Sequence, residues 1–216
     1  MSSPTRPRVL LADDHLMVAE ALKTLLMPEF ELVGVVEDGR ALVEAAKKLR
    51  PDVIVADITM PHLNGIDALL QLRQNGNRVP VVFLTMHRDA TFAQRALAAG
   101  ASGFVLKHSA PAELIVAIRA ALAGNTYLTP QLTAEVMEAM KQSPTKGSNP
   151  LGSLTPRQRE VLQLLAQGLS AKEIASHLSI SARTAEFHKY QIMEALDIHS
   201  NAELIRFAIK NGLVEL

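Results

Sequence analysis

The stretch from Pro51 to Pro61, with the sequence PDVIVADITMP, constrains the fold more than any other part of this chain. Its centre is a continuous run of small and β-branched apolar residues, which is typical of a strand buried on both faces of a parallel sheet. The run ends in a carboxylate, Asp57, and open parallel sheets bind their ligands beyond the carboxyl ends of their strands. Taken alone, Asp57 fits two interpretations equally well: a functional site, or a cap on the turn that follows.

Strand and helix patterns alternate regularly through the first 124 residues. Short apolar runs predict strands at residues 8–12, 32–36, 53–57, 79–85 and 103–107. Helical spacing predicts a helix after each strand, at residues 16–26, 41–49, 65–72, 90–99 and 111–123. This alternation predicts an α/β fold with a five-stranded, doubly wound parallel sheet. Because the crossovers in such folds are right-handed, the carboxyl ends of all the strands lie at one edge of the sheet.

Polar side chains stand at the ends of the predicted strands. Three of them are carboxylates and two can hold an anion: Asp13, Asp14 and Asp57, then Thr85 and Lys107. Carboxylates gathered at one edge repel one another unless a cation joins them, and hard oxygen ligands favour Mg²⁺. A carboxylate can also act as a nucleophile and form an aspartyl phosphate. The structural alternative is a salt-bridged cluster at the sheet edge.

These residues, at the ends of successive strands, resemble the receiver domain of two-component response regulators over about residues 8–124. The resemblance implies a flavodoxin-like fold in which Asp57 is the phosphoacceptor. It also implies that Asp14 and Asp57 are the main Mg²⁺ ligands, that Asp13 acts through a water molecule, and that the backbone carbonyl of Thr59 completes the protein ligands.

The same resemblance implies how the phosphoryl group is held and sensed. Thr85 would bind the phosphoryl oxygens and move together with Phe104, the aromatic switch position, while Lys107 would pair with the phosphoryl group. The phosphodonor would be a sensor histidine kinase or a small phosphorylated molecule. The added charge would pull Thr85 and Phe104 inward and change the surface of the domain.

The composition changes between residues 125 and 150. A helical run from Pro130 to Met140 is followed by a polar stretch rich in Pro, Gly and Ser, which is typical of a flexible linker. Apolar residues recur at helical spacing in this run, so the helix packs on one domain or spans both. We therefore predict a receiver domain at residues 1–124, a linker with a helix at residues 125–150, and a second domain at residues 151–216.

The last segment carries several helix start signals. Thr155 with Gln158, Ser170 with Glu173, and Ser200 with Glu203 have the spacing of capping boxes, and Ser181 starts a further helix: this predicts an all-α domain of four helices. The short helix at 170–178, its tight turn and the helix from Ser181 have helix-turn-helix proportions.

The helix from Ser181 has two different faces. Ala185, Ile192 and Leu196 are predicted to face the core with His188 near them, and the outer face is predicted to carry Arg183, Glu186, Phe187 and Tyr190. Outward aromatic residues fit a recognition helix in the major groove, or a bundle helix that meets another domain. Acidic and basic residues balance over 151–216, so a global basic field does not favour nucleic acid.

Residues 154–214 resemble the LuxR-type helix-turn-helix, through the segment LTPRQREVL at 154–162, KEIA at 172–175, and Arg183-Thr184 with His188. Together with the receiver, this is the architecture of NarL/FixJ-type response regulators. The resemblance implies promoter binding as a homodimer, with the last helix in the dimer interface. The implied DNA-binding residues are Lys172, Arg183, Thr184, Glu186, Phe187, His188, Lys189 and Tyr190.

Four positions depart from the usual family pattern: Ala171 in place of Asn, Ala185 in place of Val, Glu186 in place of a Lys common in one branch, and Asp197 in place of Gly. Phe187 and Tyr190 are bulkier or less basic than their counterparts in many relatives. These departures bear on the DNA sequence that is read rather than on the fold.

Composition limits the remaining possibilities. The chain has 216 residues, 48% of them hydrophobic, and no cysteine, which excludes disulfides, thiol nucleophiles and thiolate metal sites. No apolar run has membrane-spanning length. We therefore expect a soluble cytoplasmic protein that does not contact a membrane, and the resemblance implies a transcription regulator that is not an enzyme. Two alternatives stay open: an interaction protein that sequesters partners, and an enzyme that turns over an external phosphoester.

Overall fold

The structure is a computed structural model that describes residues 6–86, 90–142 and 150–214, with the side chains of 139–142 and 150 left out. The chain divides into two compact units, Met1–Pro144 and Thr145–Leu216. The first is a sheet flanked by helices, and the second consists of helices.

The sheet of the first unit is parallel throughout and has the strand order β2-β1-β3-β4-β5-β6. Its strands are β1 (Arg8–Ala12), β2 (Glu31–Val36), β3 (Val53–Asp57), β4 (Val81–Thr85), β5 (Gly103–Leu106) and β6 (Tyr127–Leu128). The predicted doubly wound fold is confirmed, but the described sheet has six strands rather than five. A strand of two residues is too short to show a periodicity, so the sequence pattern could not reveal β6.

Helices cover both faces of this sheet: α1 (Leu16–Leu26), α2 (Gly39–Leu49), α3 (Gly65–Gln74), α4 (Ala90–Ala98), α5 (Ala110–Leu122) and α6 (Pro130–Gln142). Successive residues of a strand point to opposite faces, and they divide between two cores. Leu11 and Val55 pack with α1 and α5, whereas Leu10 and Ile54 pack with α2, α3, α4 and α6. The strands are therefore apolar on both faces, as a buried parallel sheet requires.

The loop after β3 folds back tightly against the strand that delivers Asp57. The backbone N–H of Gly65 donates to the carbonyl of Ile58 at 2.8 Å. A Cβ atom added at Gly65 would lie 2.2 Å from the carbonyl oxygen of Asp57, so only glycine fits at this close approach. Asn64 then caps α3 by accepting from the N–H of Asp67 at 2.9 Å. These contacts hold Asp57 at the carboxyl edge.

The helix predicted within the linker packs on the first unit. Leu132 and Val136 of α6 are buried in the same core as Phe92 of α4. The apolar spacing predicted a packing face but could not identify the surface that it covers. The flexible linker was predicted at residues 141–150, but α6 continues to Gln142 and a 3₁₀ turn begins at Pro150. Residues 143–149 lie outside the described residues, as does the side chain of Met140, and the domain boundaries stay a prediction.

Thr129 joins the sheet, α5 and the start of α6. It is fully buried, and its N–H donates to the carbonyl of Phe104 at 3.0 Å. Its hydroxyl accepts from the N–H of Leu106 at 3.2 Å and donates to the carboxylate of Glu113 on α5 at 2.7 Å. The carbonyl of Thr129 accepts from Leu132 at 3.0 Å in the first turn of α6. This Thr129 junction links the end of β5 to α6.

The second unit contains α7 (Pro156–Ala166), α8 (Ala171–Leu178), α9 (Ala182–Leu196) and α10 (Asn201–Lys210), preceded by a 3₁₀ turn. The predicted four-helix domain is confirmed. Both halves of the capping box are present at Thr155 and at Ser170. At the start of α10 the third predicted box is incomplete. Ser200 caps the N–H of Glu203, but the Glu203 carboxylate accepts from the N–H of His199 at 3.1 Å, one residue before the cap.

The turn between α8 and α9 has the geometry of a helix-turn-helix. Ser179 ends α8 in the left-handed region with φ 53°, which reverses the chain before Ser181 caps α9. Arg157 of α7 donates to the carbonyl of Leu178 at 2.6 Å and pairs with Glu160 at 2.8 Å. This guanidinium therefore ties the end of α8 to α7.

Among the described residues, no helix combines the length and apolar character needed to cross a bilayer.

We predict that Thr129→Val lowers the free energy of unfolding of the first unit by about 1–3 kcal/mol, because it leaves the Glu113 carboxylate and the Leu106 N–H without this hydroxyl. Chemical denaturation monitored by circular dichroism measures the change. Thr129→Ser, which keeps the hydroxyl and loses one methyl group, is the control and should cost about 1 kcal/mol or less. Equal destabilisation by the two variants would show that packing, and not the hydroxyl, holds the junction.

Candidate functional site

The ends of β1, β3 and β5 bring two carboxylates and one ammonium into direct contact. Lys107 Nζ lies 2.6 Å from Asp57 Oδ2 and 2.9 Å from Asp13 Oδ2. All three side chains are largely shielded from solvent, with exposed fractions of 8% for Lys107, 6% for Asp57 and 1% for Asp13. A buried charge needs a partner of opposite sign, so these residues form one electrostatic unit.

Asp57 is held by the backbone on one side and by Lys107 on the other. Its Oδ1 accepts from the N–H of Ile58 at 2.6 Å, and the N–H of Thr59 lies 3.4 Å away. Burial raises the pKa of Asp57 from 3.8 to about 6, and the Asp13 charge adds to this, while Lys107 and the Ile58 N–H oppose it. Burial, and not repulsion by the neighbouring carboxylate, is the main cause of the raised pKa. Asp57 is still ionised, and therefore nucleophilic, at neutral pH.

Lys107 shows the complementary effect. Burial alone would lower the pKa of its ammonium, but the charges of Asp57 and Asp13, with their hydrogen bonds, outweigh burial and raise that pKa. Lys107 therefore stays protonated at neutral pH. It can neutralise a carboxylate, or pair with another anion that reaches the same position.

Asp14 completes the carboxylate group at the more open side of the site, with 29% of its side chain exposed. Asp14 Oδ1 is enclosed by protein and has no directed hydrogen-bond donor, whereas Asp13 Oδ2, also enclosed, is paired with Lys107 Nζ. Ligand atoms of Asp13, Asp14, His15 and Asp57 all lie within 4.8 Å of one another. Carboxylate oxygens at this spacing, one of them enclosed without a directed donor, fit a hard divalent cation such as Mg²⁺.

Thr85 and Phe104, predicted to bind and sense the phosphoryl group, lie on the neighbouring strands β4 and β5. Both side chains are fully buried, and Phe104 pairs in register with Phe83. Thr85 ends β4 opposite Leu106, one residue before Lys107. The structure thus places both residues at or near the edge that carries Asp57. Their switch roles, and the ligand role of the Thr59 carbonyl, stay predictions.

The predicted outer face of α9 is exposed to solvent in the second unit. Phe187 and Tyr190 have exposed fractions of 58% and 76%, and 54% of the Glu186 side chain is exposed. Arg183 on α9 and Lys172 on α8 are exposed as well. The residues predicted to face the core, Ala185, Ile192 and Leu196, pack there: the first two are buried and the third is partly buried.

Three of the predicted DNA-binding residues are less free than the others. The Thr184 hydroxyl lies 2.8 Å from the Ser181 hydroxyl at the start of α9. Lys189 has 22% of its side chain exposed, and its Nζ lies 3.8 Å from Glu186 Oε2. His188 is half-buried, and its Nδ1 is enclosed without a hydrogen-bond partner. Contact with DNA would therefore require the side chains of Thr184 and His188 to rearrange. For Lys189 it would require only the loss of the weak ion pair with Glu186.

Reasoning from the sequence did not single out two residues that the structure places at or behind the first site. His15 stands directly after Asp13 and Asp14, so its position in the sequence could have identified it. Thr129, whose hydroxyl accepts from the N–H of Leu106 just before Lys107, lies outside the predicted sheet. No local pattern could reveal its role, because that role depends on pairing between distant segments.

The raised pKa of Asp57 has a measurable consequence. Between pH 4 and 6 the folded state binds the Asp57 proton more tightly than the unfolded state does, so ionisation of Asp57 costs stability as the pH rises through this range. We predict that in EDTA the free energy of unfolding of the wild type falls by about 2 kcal/mol relative to Asp57→Asn between pH 4 and pH 7.

Thermal or urea unfolding at several pH values measures this difference. Added Mg²⁺ is the control, because a cation favours the ionised carboxylate and should reduce the decline. Stability curves of the two proteins that run parallel across this pH range would contradict the assignment.

Comparison with known proteins agrees with this arrangement. Residues 9–119 match the family model of the response regulator receiver domain, and residues 152–208 match that of bacterial regulatory proteins of the luxR family. The chain is 35% identical over 217 residues to the transcriptional regulatory protein MctR of Rhizobium johnstonii, covering 99% of this chain and 98% of that protein. It is 32% identical over 225 residues to the transcriptional regulatory protein DegU of Brevibacillus brevis, covering 97% and 95%.

Solved structures show the same two-part organisation. The response regulator RcsB of Salmonella typhimurium has a TM-score of 0.63 and 25% identity, covering 96% of this chain and 98% of that one. The RcsB–DNA complex has a TM-score of 0.59 and 26% identity, covering 94% and 98%. Both family models match in the order that the sequence predicted. The chain therefore belongs to the response regulators of two-component systems, with a receiver domain followed by a luxR-family helix-turn-helix domain.

Proposed function

We propose that this protein is a transcription regulator controlled by phosphorylation of Asp57. The observation that carries the proposal is the contact of a buried, ionised Asp57 with Lys107 at 2.6 Å, beside the carboxylate of Asp13 and an enclosed Asp14 oxygen that lacks a directed donor. This arrangement supplies a nucleophile, a fixed positive charge and oxygen ligands for Mg²⁺. The phosphodonor is a sensor histidine kinase or a small acyl phosphate.

Phosphorylation replaces one charge arrangement by another. The Asp57 carboxylate attacks the phosphorus atom of the donor, the bond between phosphorus and the donor's leaving group breaks, and an aspartyl phosphate forms. When bound through Asp13, Asp14 and Asp57, with the Thr59 carbonyl, Mg²⁺ supplies charge stabilisation for the transferred group. Lys107 then pairs with the phosphoryl oxygens instead of the carboxylate, and the Thr85 hydroxyl donates a hydrogen bond to them.

The change at Asp57 can reach α6 through contacts within the first unit. Phe104, the proposed switch residue, pairs with Leu128 of β6, and its carbonyl accepts from the N–H of Thr129. α6 begins directly after Thr129 and packs on α4. A shift of Phe104 or of the end of β5 therefore acts on the helix that leads towards the second unit.

We propose that α9 is the recognition helix and that the protein binds promoter DNA as a homodimer. The exposed face with Glu186, Phe187 and Tyr190 supports this, together with the capped helix-turn-helix geometry and the similarity to a regulator solved in complex with DNA. Arg183 and Lys172 are placed to contact phosphates. The balanced charge of residues 151–216 gives little non-specific attraction, so dimerisation has to supply much of the affinity.

We predict that Asp57→Asn abolishes the response to acetyl phosphate. In the wild type, acetyl phosphate with Mg²⁺ should promote dimers and raise the affinity for a DNA fragment selected by the phosphorylated protein by about 5- to 150-fold. Asp57→Asn should change by less than about twofold, because the phosphoacceptor is absent. Analytical ultracentrifugation and gel shifts measure the two effects.

Asp52→Asn is the matched control for this experiment. Asp52 is an exposed carboxylate that lies just before β3, at the opposite end of the strand from Asp57. It should respond like the wild type. A normal response by Asp57→Asn would overturn the proposal, and a response lost by both variants would show that the loss is unspecific.

We predict that Phe187→Ala and Tyr190→Ala each reduce the affinity for the selected fragment by about 1–3 kcal/mol. These side chains are too exposed to contribute much to the core, so the thermal stability of the variants should stay close to that of the wild type. Gln167→Ala, an exposed residue at the end of α7, is the control. Unchanged DNA binding by both aromatic variants would exclude α9 as the reading helix and favour a protein partner for this face.

A further inference from the structure

His15 occupies a position that its role in helix α1 does not explain. It is the N-cap residue of α1, but its side chain makes no capping hydrogen bond. Asp, Asn, Ser and Thr are preferred at this position because their side chains accept from the first free N–H groups of the helix. The imidazole of His15 instead turns towards the carboxylates of Asp13 and Asp14.

The distances from His15 to these carboxylates are short. Nδ1 lies 2.9 Å from Asp14 Oδ1 and 3.3 Å from Asp13 Oδ1. A hydrogen bond would explain the shorter distance, but Asp14 Oδ1 has no directed donor although it is enclosed by protein. Asp13 Oδ1 already accepts from the backbone N–H of His15 at 2.9 Å. The imidazole nitrogen is thus close to two carboxylate oxygens without donating a well-aligned hydrogen bond to Asp14.

This spacing matches two neighbouring corners of one coordination sphere. In an octahedral site with ligands at about 2.1 Å, adjacent ligand atoms are about 3 Å apart and opposite ones about 4.2 Å apart. Nδ1 has the adjacent spacing to Asp14 Oδ1 and nearly so to Asp13 Oδ1. Ligand atoms of all four residues lie within 4.8 Å of one another, so a bound ion would have to draw the outermost of them slightly closer together.

We propose that His15 is a nitrogen ligand of the divalent cation beside Asp57, and that it gives this site a preference for first-row transition ions over Mg²⁺. Carboxylate oxygens alone suit Mg²⁺, whereas an imidazole nitrogen favours softer ions such as Co²⁺ and Zn²⁺. The proposal deepens the function proposed above and rests on its metal site. In this chain, the ion that supports phosphorylation of Asp57 then depends on which metals are available.

A second interpretation of the same distances is that His15 acts only as a positive charge next to the carboxylates. The two interpretations predict different results. A neighbouring charge acts on every divalent cation alike, so replacing His15 changes the affinities for Mg²⁺ and Co²⁺ by the same factor, which is close to one at a pH where imidazole is neutral. A ligand favours one class of ion, so its removal weakens Co²⁺ and leaves Mg²⁺ nearly unchanged.

The test is metal titration by isothermal titration calorimetry at pH 8, where free imidazole is neutral. We expect His15→Ala to weaken Co²⁺ binding on the order of tenfold and to change Mg²⁺ binding by less than about twofold. His15→Asn, which offers a hard amide oxygen and a good N-cap, should keep Mg²⁺ binding and lose the Co²⁺ preference. His108→Ala is the matched control, because His108 is exposed directly after Lys107 and is not one of the four clustered residues.

A second readout detects the coordination itself. Mn²⁺ bound to the full-length wild-type protein should show nitrogen coupling from a bound imidazole in electron spin-echo measurements, and His15→Ala should not. Bound Mn²⁺ without nitrogen coupling, or an equal change in Co²⁺ and Mg²⁺ affinity on His15→Ala, would overturn the role of His15. Failure of the wild type to bind any of these ions would instead overturn the metal site of the proposed function.

Discussion

The ion pairs of Lys107 with Asp57 and Asp13 are the interaction on which the rest of the first unit depends. A doubly wound sheet leaves the ends of its central strands enclosed by loops, so charges placed there lose most of their hydration. Lys107, at 2.6 and 2.9 Å, compensates for both carboxylates. Lys107 does not fully offset the cost of burying Asp57, as the raised Asp57 pKa of about 6 shows. A cation or a phosphoryl group that enters this site can therefore replace the existing ion pairs of Lys107 with the two carboxylates.

Most of the first site could be predicted from the sequence because parallel topology turns strand ends into neighbours. Asp13, Asp57 and Lys107 each follow or end an apolar run, and their meeting needed only the rule that right-handed crossovers align the strands. β6 and the Thr129 junction could not be predicted, since a two-residue strand and a single buried hydroxyl leave no periodic signal. Nor could the cause of the Asp57 pKa, which depends on how completely the loops exclude water.

In the second unit, the features that could be predicted from the sequence are those that depend on residues close together in the chain. The capping boxes at Thr155 and Ser170 formed as predicted because they involve residues only three positions apart. The third capping box, at Ser200, is incomplete because the Glu203 side chain accepts from the N–H of His199. Exposure of Phe187 and Tyr190 also followed from helical spacing. Which bases they meet depends on the DNA and on the dimer, and neither is encoded in the helix itself.

Scattering provides the most direct test of the claim that charge at Asp57 controls assembly. Small-angle X-ray scattering of the full-length protein, with and without beryllium fluoride and Mg²⁺ as a phosphoryl mimic, measures mass and radius of gyration together. We predict that the mimic doubles the scattering mass of the wild type and leaves that of Asp57→Asn unchanged. A mimic that binds the wild type, as shown by calorimetry, yet alters neither quantity would contradict it.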